Sequence, residues 1–179
     1  MKKIVWIYGV IAGAISVSWG VISEGLINDS LSLNTRMILG YATMIVAFSL
    51  IFVAIKNYRD TQNHGRITFG KALGIGLLIT LIASTVYVVV WMIDFKYFVP
   101  DFGEKYQVQA IAEMKQSGIS AAEIQKQSTE MAEMMAKYKT NAAYRAMFTY
   151  LEVTPVGILM SLLAALILKR KTKTAEAAA

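Results

Sequence analysis

The run MILGYATMIVAFSLIFVAI, Met37 to Ile55, carries no charge and is apolar around its whole helical circumference. A surface helix of a soluble bundle keeps a polar face for water, and this segment has none, so its solvent is lipid or protein on every side. Three further windows share the property: Ile4 to Ile22, Ala72 to Ile93 and Met147 to Leu168, with Glu152 the single acid among them. A helix of roughly 20 residues rises about 30 Å, the thickness of a bilayer's hydrocarbon core, so each window is long enough for one crossing. In hydrocarbon every backbone amide needs an internal partner, which leaves helices for segments this long. The composition, 56% hydrophobic over 179 residues, follows from those blocks. The expectation is an all-α integral membrane four-helix bundle, residues 1–179 forming one membrane domain.

Lysine and arginine near span ends set orientation. Lys2 and Lys3 precede the first span, Lys56, Arg59, Arg66 and Lys71 lie in the 56–71 connection, and Lys169, Arg170, Lys171 and Lys173 follow the fourth span. The 23–36 connection sets Arg36 against Glu24 and Asp29, and the 94–146 insert balances its charges. Both termini are therefore expected in the cytoplasm, with the insert outside. The first window follows MKK as a signal sequence would, but its apolar run exceeds a typical signal core, so it is expected to remain as a span. With no cysteine, disulfides and thiolate metal sites are excluded.

His64, the one histidine, precedes Gly65 in the 56–71 connection and has no second ligand or carboxylate beside it, so it reads as a turn residue. The stretches GYATMIVAFSLIFVAIKNYRD, GRITFGKALGIGLLITLIAS, PDFGEKY and PVGILMSLLAALILKRK together resemble the bacterial membrane-protein family catalogued as domain of unknown function 4199, over nearly the whole chain. The resemblance implies a four-span inner-membrane protein with a helical segment after the third span. It implies no activity and carries no catalytic residue.

After WMIDFKYFVPDF, an aromatic belt, the insert is charged and helix-favouring. Gly118 is placed to end one helix and SAAE, Ser120 to Glu123, to open a second, which predicts an extracytoplasmic amphipathic helical hairpin. Ile124, Met131, Met134, Met135 and Tyr138 recur on one face of the second helix. Methionine thioethers outside the membrane are conceivable copper(I) ligands, but methionine more commonly fills irregular apolar contacts, so this face reads as packing or as a partner surface.

Ionisable groups within spans are functional candidates because an unpaired charge in hydrocarbon is costly. Glu152 lies about 9 Å outward of its span's midpoint and three residues before Pro155, which should bend the helix. Arg36, Asp94, Arg145 and Glu152, with Glu24, fall at one outer level, so an interhelical polar cluster is expected there, with Arg36 neutralising Glu152 or Asp94. Gly9 with Gly13, Ala12 with Ser16 and Gly20, and Gly70 with Gly74 have the four-residue spacing that admits a close helix. Thr80, Ser84 and Thr85 can bond back to their own helix.

No P-loop, GxGxxG, HExxH or GxSxG motif is present, so no catalytic residue, cofactor or metal ligand is assigned and no enzyme is expected. The basic balance, net +6, lies at span flanks and suits anionic headgroups, not nucleic acid. The expected partners are the lipid bilayer and a second copy or another membrane protein, met through the outer hairpin. The alternative is a small oligomeric transporter or channel using Glu152 and Arg36 near Pro155. KTAEAAA at the end reads as a frayed tail.

Overall fold

A computed structural model describes residues 1–26 and 31–170, and of 23–26 the helical backbone alone. Glu24, Asp29, Lys171, Lys173 and the closing tail therefore lie outside the described side chains. Six helices follow in order: α1 Lys2–Leu26, α2 Leu33–Gln62, α3 Phe69–Tyr97, α4 Phe102–Gln116, α5 Ala121–Thr140 and α6 Ala142–Leu168. Among the described residues there is no strand, and α1, α2, α3 and α6 are long and apolar enough to cross a membrane.

Local signals set the helix starts. Ser32 Oγ accepts from the Thr35 amide at 3.2 Å, Thr68 caps α3, and Asn141 Oδ1 accepts from the Tyr144 amide at 3.0 Å. The last cap starts α6 at Ala142, ahead of Met147, so the polar residues before the apolar window are already helical. Pro155 stands inside α6 without ending it. Its missing N–H leaves the Leu151 carbonyl without its helical donor; Leu151 and Pro155 are both exposed on the outer face, and the helix runs on to Leu168.

The register of the bundle is set by small residues. Gly9 lies against Ile82 and Gly13 against Val86; a methyl group on either would stand 2.8 Å and 2.6 Å from those Cβ atoms, so α1 and α3 run parallel in tight contact. Gly76 meets Ser161 and Gly157 meets Thr80, which makes α3 and α6 antiparallel. Phe48 also reaches Gly157 and Arg59 reaches Leu168, so α2 and α6 are parallel. Trp19 Nε1 donates to the Arg36 carbonyl at 3.2 Å and Asn57 faces Tyr8, closing α1 on α2. The ring order is α1, α2, α6, α3, and α2 and α3, consecutive in the chain, face each other across it.

Phe48, Ile51, Ile55, Ile79 and Val153 fill the centre with no exposed surface. Lipid tails are as apolar as these side chains, so association rests on close packing and on hydrogen bonds between helices. Thr80 and Ser161 hydroxyls meet at 3.1 Å, and Thr154 donates to Ser84 at 3.4 Å. Thr85 bonds back to the Leu81 carbonyl at 2.7 Å, as its sequence context suggests, and also meets the Tyr150 hydroxyl at 2.9 Å, so Thr80, Ser84 and Thr85 all join α3 to α6. Trp6, Val46 and Ile167 point outward, more than 60% exposed, as lipid-facing residues do.

The two ends of the chain meet the α2–α3 turn. The Met1 ammonium donates to Gln62 Oε1 at 2.5 Å, and Arg170 and Ile67 exchange backbone bonds of 2.8 and 3.2 Å. In that turn His64 (φ 52°) and Gly65 (φ 75°) are both left-handed, and His64 is exposed, which fits a turn residue. Arg59, read from sequence as one more flanking cation, is instead buried: it grips both Asp60 oxygens at 2.7 and 3.1 Å and donates to the Leu168 carbonyl at 3.4 Å.

Candidate functional site

The polar chemistry of the molecule gathers where α4 and α5 sit against the far end of the bundle. Gly118, at φ 76°, follows α4 in a conformation that costs glycine little. Ser120 Oγ then accepts from the Glu123 amide at 3.2 Å, while the Glu123 carboxylate takes Gln127 Nε2 at 2.8 Å. The two helices run antiparallel, with Lys139 ion-paired to Glu104 across them. That contact holds the exposed Glu104 carboxyl below the usual carboxylate range, as Lys105 does for Asp101.

The pair is fastened at two places. On α4, Glu113 Oε1 accepts from the Leu33 amide at 2.8 Å, so a carboxylate occupies the N-terminus of α2, where the helix dipole favours negative charge. Gln109 Nε2 reaches the Leu31 carbonyl at 2.9 Å. On α5, Tyr138 is buried, and its hydroxyl accepts from Trp91 Nε1 at 2.6 Å. Phe95 meets Tyr138 edge-on at 5.6 Å and Phe102 meets Trp91 at 5.1 Å. Burial raises the Tyr138 phenol above its ordinary value, so it stays neutral and available to the indole.

Arg145 completes this corner from α6. Its Nη1 donates to the Tyr138 and Lys139 carbonyls at 2.8 and 3.2 Å, and the guanidinium lies 4.1 Å from the Phe95 ring centroid. A cation therefore satisfies carbonyls at the end of α5 that the helix itself leaves open, and stacks on an aromatic face. The chain reverses at Asn141 and restarts as α6, which brings Arg145 back over the turn it has just left.

This placement separates the residues that share a depth in the sequence. Arg145 is spent on α5 and Phe95. Asp94 is next to Phe95 in α3, and one helical step turns it by about 100° away from that contact; its Oδ2 is buried with no hydrogen-bond partner, as is Ser16 Oγ on α1. Glu152 is about 10 Å along α6 from Arg145 and is exposed on the helix flank. Arg36 is half-buried at the start of α2, held through its carbonyl by Trp19. The described ion pairs join none of Arg36, Asp94, Arg145 and Glu152 to another of the four.

The apolar stripe of α5 divides in the same way. Tyr138 is covered by α3, whereas Ile124, Met131, Met134 and Met135 are half-buried, Met135 beside Gly103 of α4. Met135 and Tyr138 line a shallow cleft of about 230 Å³ between α4 and α5, with Phe95 at its floor and the Glu104–Lys139 pair at its rim. Val108 on α4 is 71% exposed. No cluster of three His, Asp or Glu that could hold a metal occurs among the described residues. Of the open Gly-xxx-Gly faces, Gly9 and Gly13 receive α3, while Gly70 and Gly74 meet nothing within 4 Å.

The roles of Arg145 and Arg59 as carbonyl caps were missed in the sequence. For Arg145 the available signal is the helix break at Asn141 four residues before it. No curated protein and no solved structure matches the chain. One family model does, over residues 7–170, and by that match the chain belongs to the family described as Protein of unknown function (DUF4199).

Proposed function

We propose that this protein is a non-enzymatic accessory component of the bacterial inner membrane, with both termini cytoplasmic, that presents its outer α4–α5 pair to a membrane-protein partner or a second copy of itself. The observation that carries the reading is the double fastening of that pair, through Glu113 on one side and Tyr138 with Arg145 on the other. A fixed platform holds a recognition surface at low entropic cost. The surface is the half-buried methionine face with Ile124, together with exposed Val108; Tyr138 belongs to the fastening. The filled centre of the bundle, from Phe48 to Val153, supports a structural role over conduction through one copy.

In-cell crosslinking from positions on α5, followed by identification of what co-purifies, tests this. A partner captured from Met131 and Met134 and lost on Met131→Glu supports it; capture that survives deletion of 101–139 removes the pair as the contact. Compartment reporters at Asn63 and Gly118 test the topology, and finding both in one compartment refutes it. The transporter alternative draws on the buried, unpartnered Asp94 Oδ2 and on Glu152 within a span. It requires an ion flux in proteoliposomes that Glu152→Gln or Asp94→Asn abolishes while the protein stays folded.

A further inference from the structure

The opposite end of the bundle carries a second feature, which does not depend on what α4 and α5 meet. We propose that the corner between the C-terminal ends of α2 and α6, centred on Lys56 and Arg170, binds the phosphate of an anionic phospholipid headgroup.

Two backbone-level contacts bring the cationic segments together. The Ile67–Arg170 exchange draws the residues after α6 onto the α2–α3 turn, and the Met1–Gln62 bond draws in the start of α1 with Lys2 and Lys3. The charges at the corner do not balance. Asp60 is the one described acid there, and both of its oxygens are taken by Arg59. Lys56 stands one helical turn before Asp60 in α2, and the 3.4 Å bond from Arg59 to the Leu168 carbonyl brings the end of α6, with Arg170, to the same corner. Two exposed cations thus share a corner with a carboxylate already neutralised by a third, which leaves an excess positive field there among the described residues. Lys71, over the Tyr58 ring at 6.0 Å, adds to it from α3.

Height favours a lipid over other anions. Lys56 directly follows Ile55, the last residue of the apolar run of α2, and Arg170 is two residues past Leu168, where α6 ends. Both therefore stand at headgroup level beside the hydrocarbon, where a lipid phosphate is already concentrated. Paired cations at the ends of parallel helices at that level match the headgroup's single compact anion, and the glycerol and acyl chains can follow the exposed apolar flank of α6.

The full chain, purified in mild detergent with equimolar phosphatidylglycerol and phosphatidylcholine, is analysed by native mass spectrometry for retained lipid and by thermal unfolding. Phosphatidylglycerol should be retained in preference, and the double change Lys56→Gln with Arg170→Gln should lower that preference at least about fivefold. Lys56→Arg with Arg170→Lys should keep it, which separates lost charge from lost fold. Lys115→Gln with Lys126→Gln, at the other end, should leave it unchanged. Undiminished preference in the glutamine double variant, an equal loss in the distant pair, or the same thermal stabilisation by inorganic phosphate alone would each overturn the assignment.

Discussion

Replacing Gly157 by alanine tests the packing account most directly, because the same change at Gly74 should have the opposite sign. A methyl at Gly157 would stand 2.8 Å from Thr80 Oγ1 and 2.9 Å from Phe48 Cε1, where α2, α3 and α6 converge and Phe48 has no exposed surface to move into. Overpacking of a filled core costs about 1–3 kcal/mol, and the confined position of Phe48 places this site at the upper end. Displacing Thr80 also disturbs its hydroxyl contact with Ser161, worth about 0.6 kcal/mol between membrane helices. Alanine recovers about 1 kcal/mol of helix propensity over glycine. The net expectation is a loss of about 2.5 kcal/mol for Gly157→Ala. At Gly74 nothing lies within 4 Å, so only the propensity gain remains and Gly74→Ala should be stabilised by up to about 1 kcal/mol. Reversible unfolding in mixed micelles of rising dodecyl sulfate fraction reads both. Gly157→Ala unfolding at or above the wild-type midpoint would refute the account.

Other consequences concern the α5–α6 corner. Arg145→Met removes the donor to two carbonyls and should destabilise the corner by about 2–4 kcal/mol, seen as faster hydrogen exchange in residues 134–145 with α1 and α2 unchanged; unaltered exchange there would contradict the capping role. Tyr138 is held neutral by burial, so its folded value lies above the ordinary value of about 10. Its contribution to stability should be whole below pH 10 and should decline as pH rises through the folded value, since the unfolded chain gives up the proton first. Phenolate absorbance during alkaline unfolding checks this, and Tyr138→Phe should remove that component of the pH dependence.

The spans were legible in the sequence because a closed apolar circumference is a local property that no tertiary partner needs to supply. Pairing was not. Gly9-xxx-Gly13 and Gly70-xxx-Gly74 have one pattern, yet α3 covers the first and nothing within the chain covers the second, because the choice depends on which face of α3 turns inward. The outer charges illustrate the same limit. Depth along a span can be counted from sequence, and that count is what suggested a cluster of Arg36, Asp94, Arg145 and Glu152. Rotational phase and the course of the 94–146 insert decide contact, and those sent Arg145 to α5 while leaving the Asp94 carboxyl facing elsewhere. Methionines on α5 were readable as an amphipathic stripe, but only the fold distinguishes Tyr138, locked on Trp91, from its half-covered neighbours.

The ring order has a bearing on biogenesis. Because α2 and α3 face each other across the ring, much of their mutual cover is supplied by α6, which leaves the ribosome after the other three spans. Until it inserts, Phe48 lacks a wall and the hydroxyls of Thr80 and Ser84 lack Ser161 and Thr154. At ordinary elongation rates the stretch from Tyr97 to Ala142 takes a few seconds to translate, so every newly made copy passes through a three-span intermediate with a polar seam open to lipid. Closure comes only when α6 arrives and its end zips onto Ile67, which makes that helix the step at which membrane proteases and chaperones can tell a closed bundle from an open one.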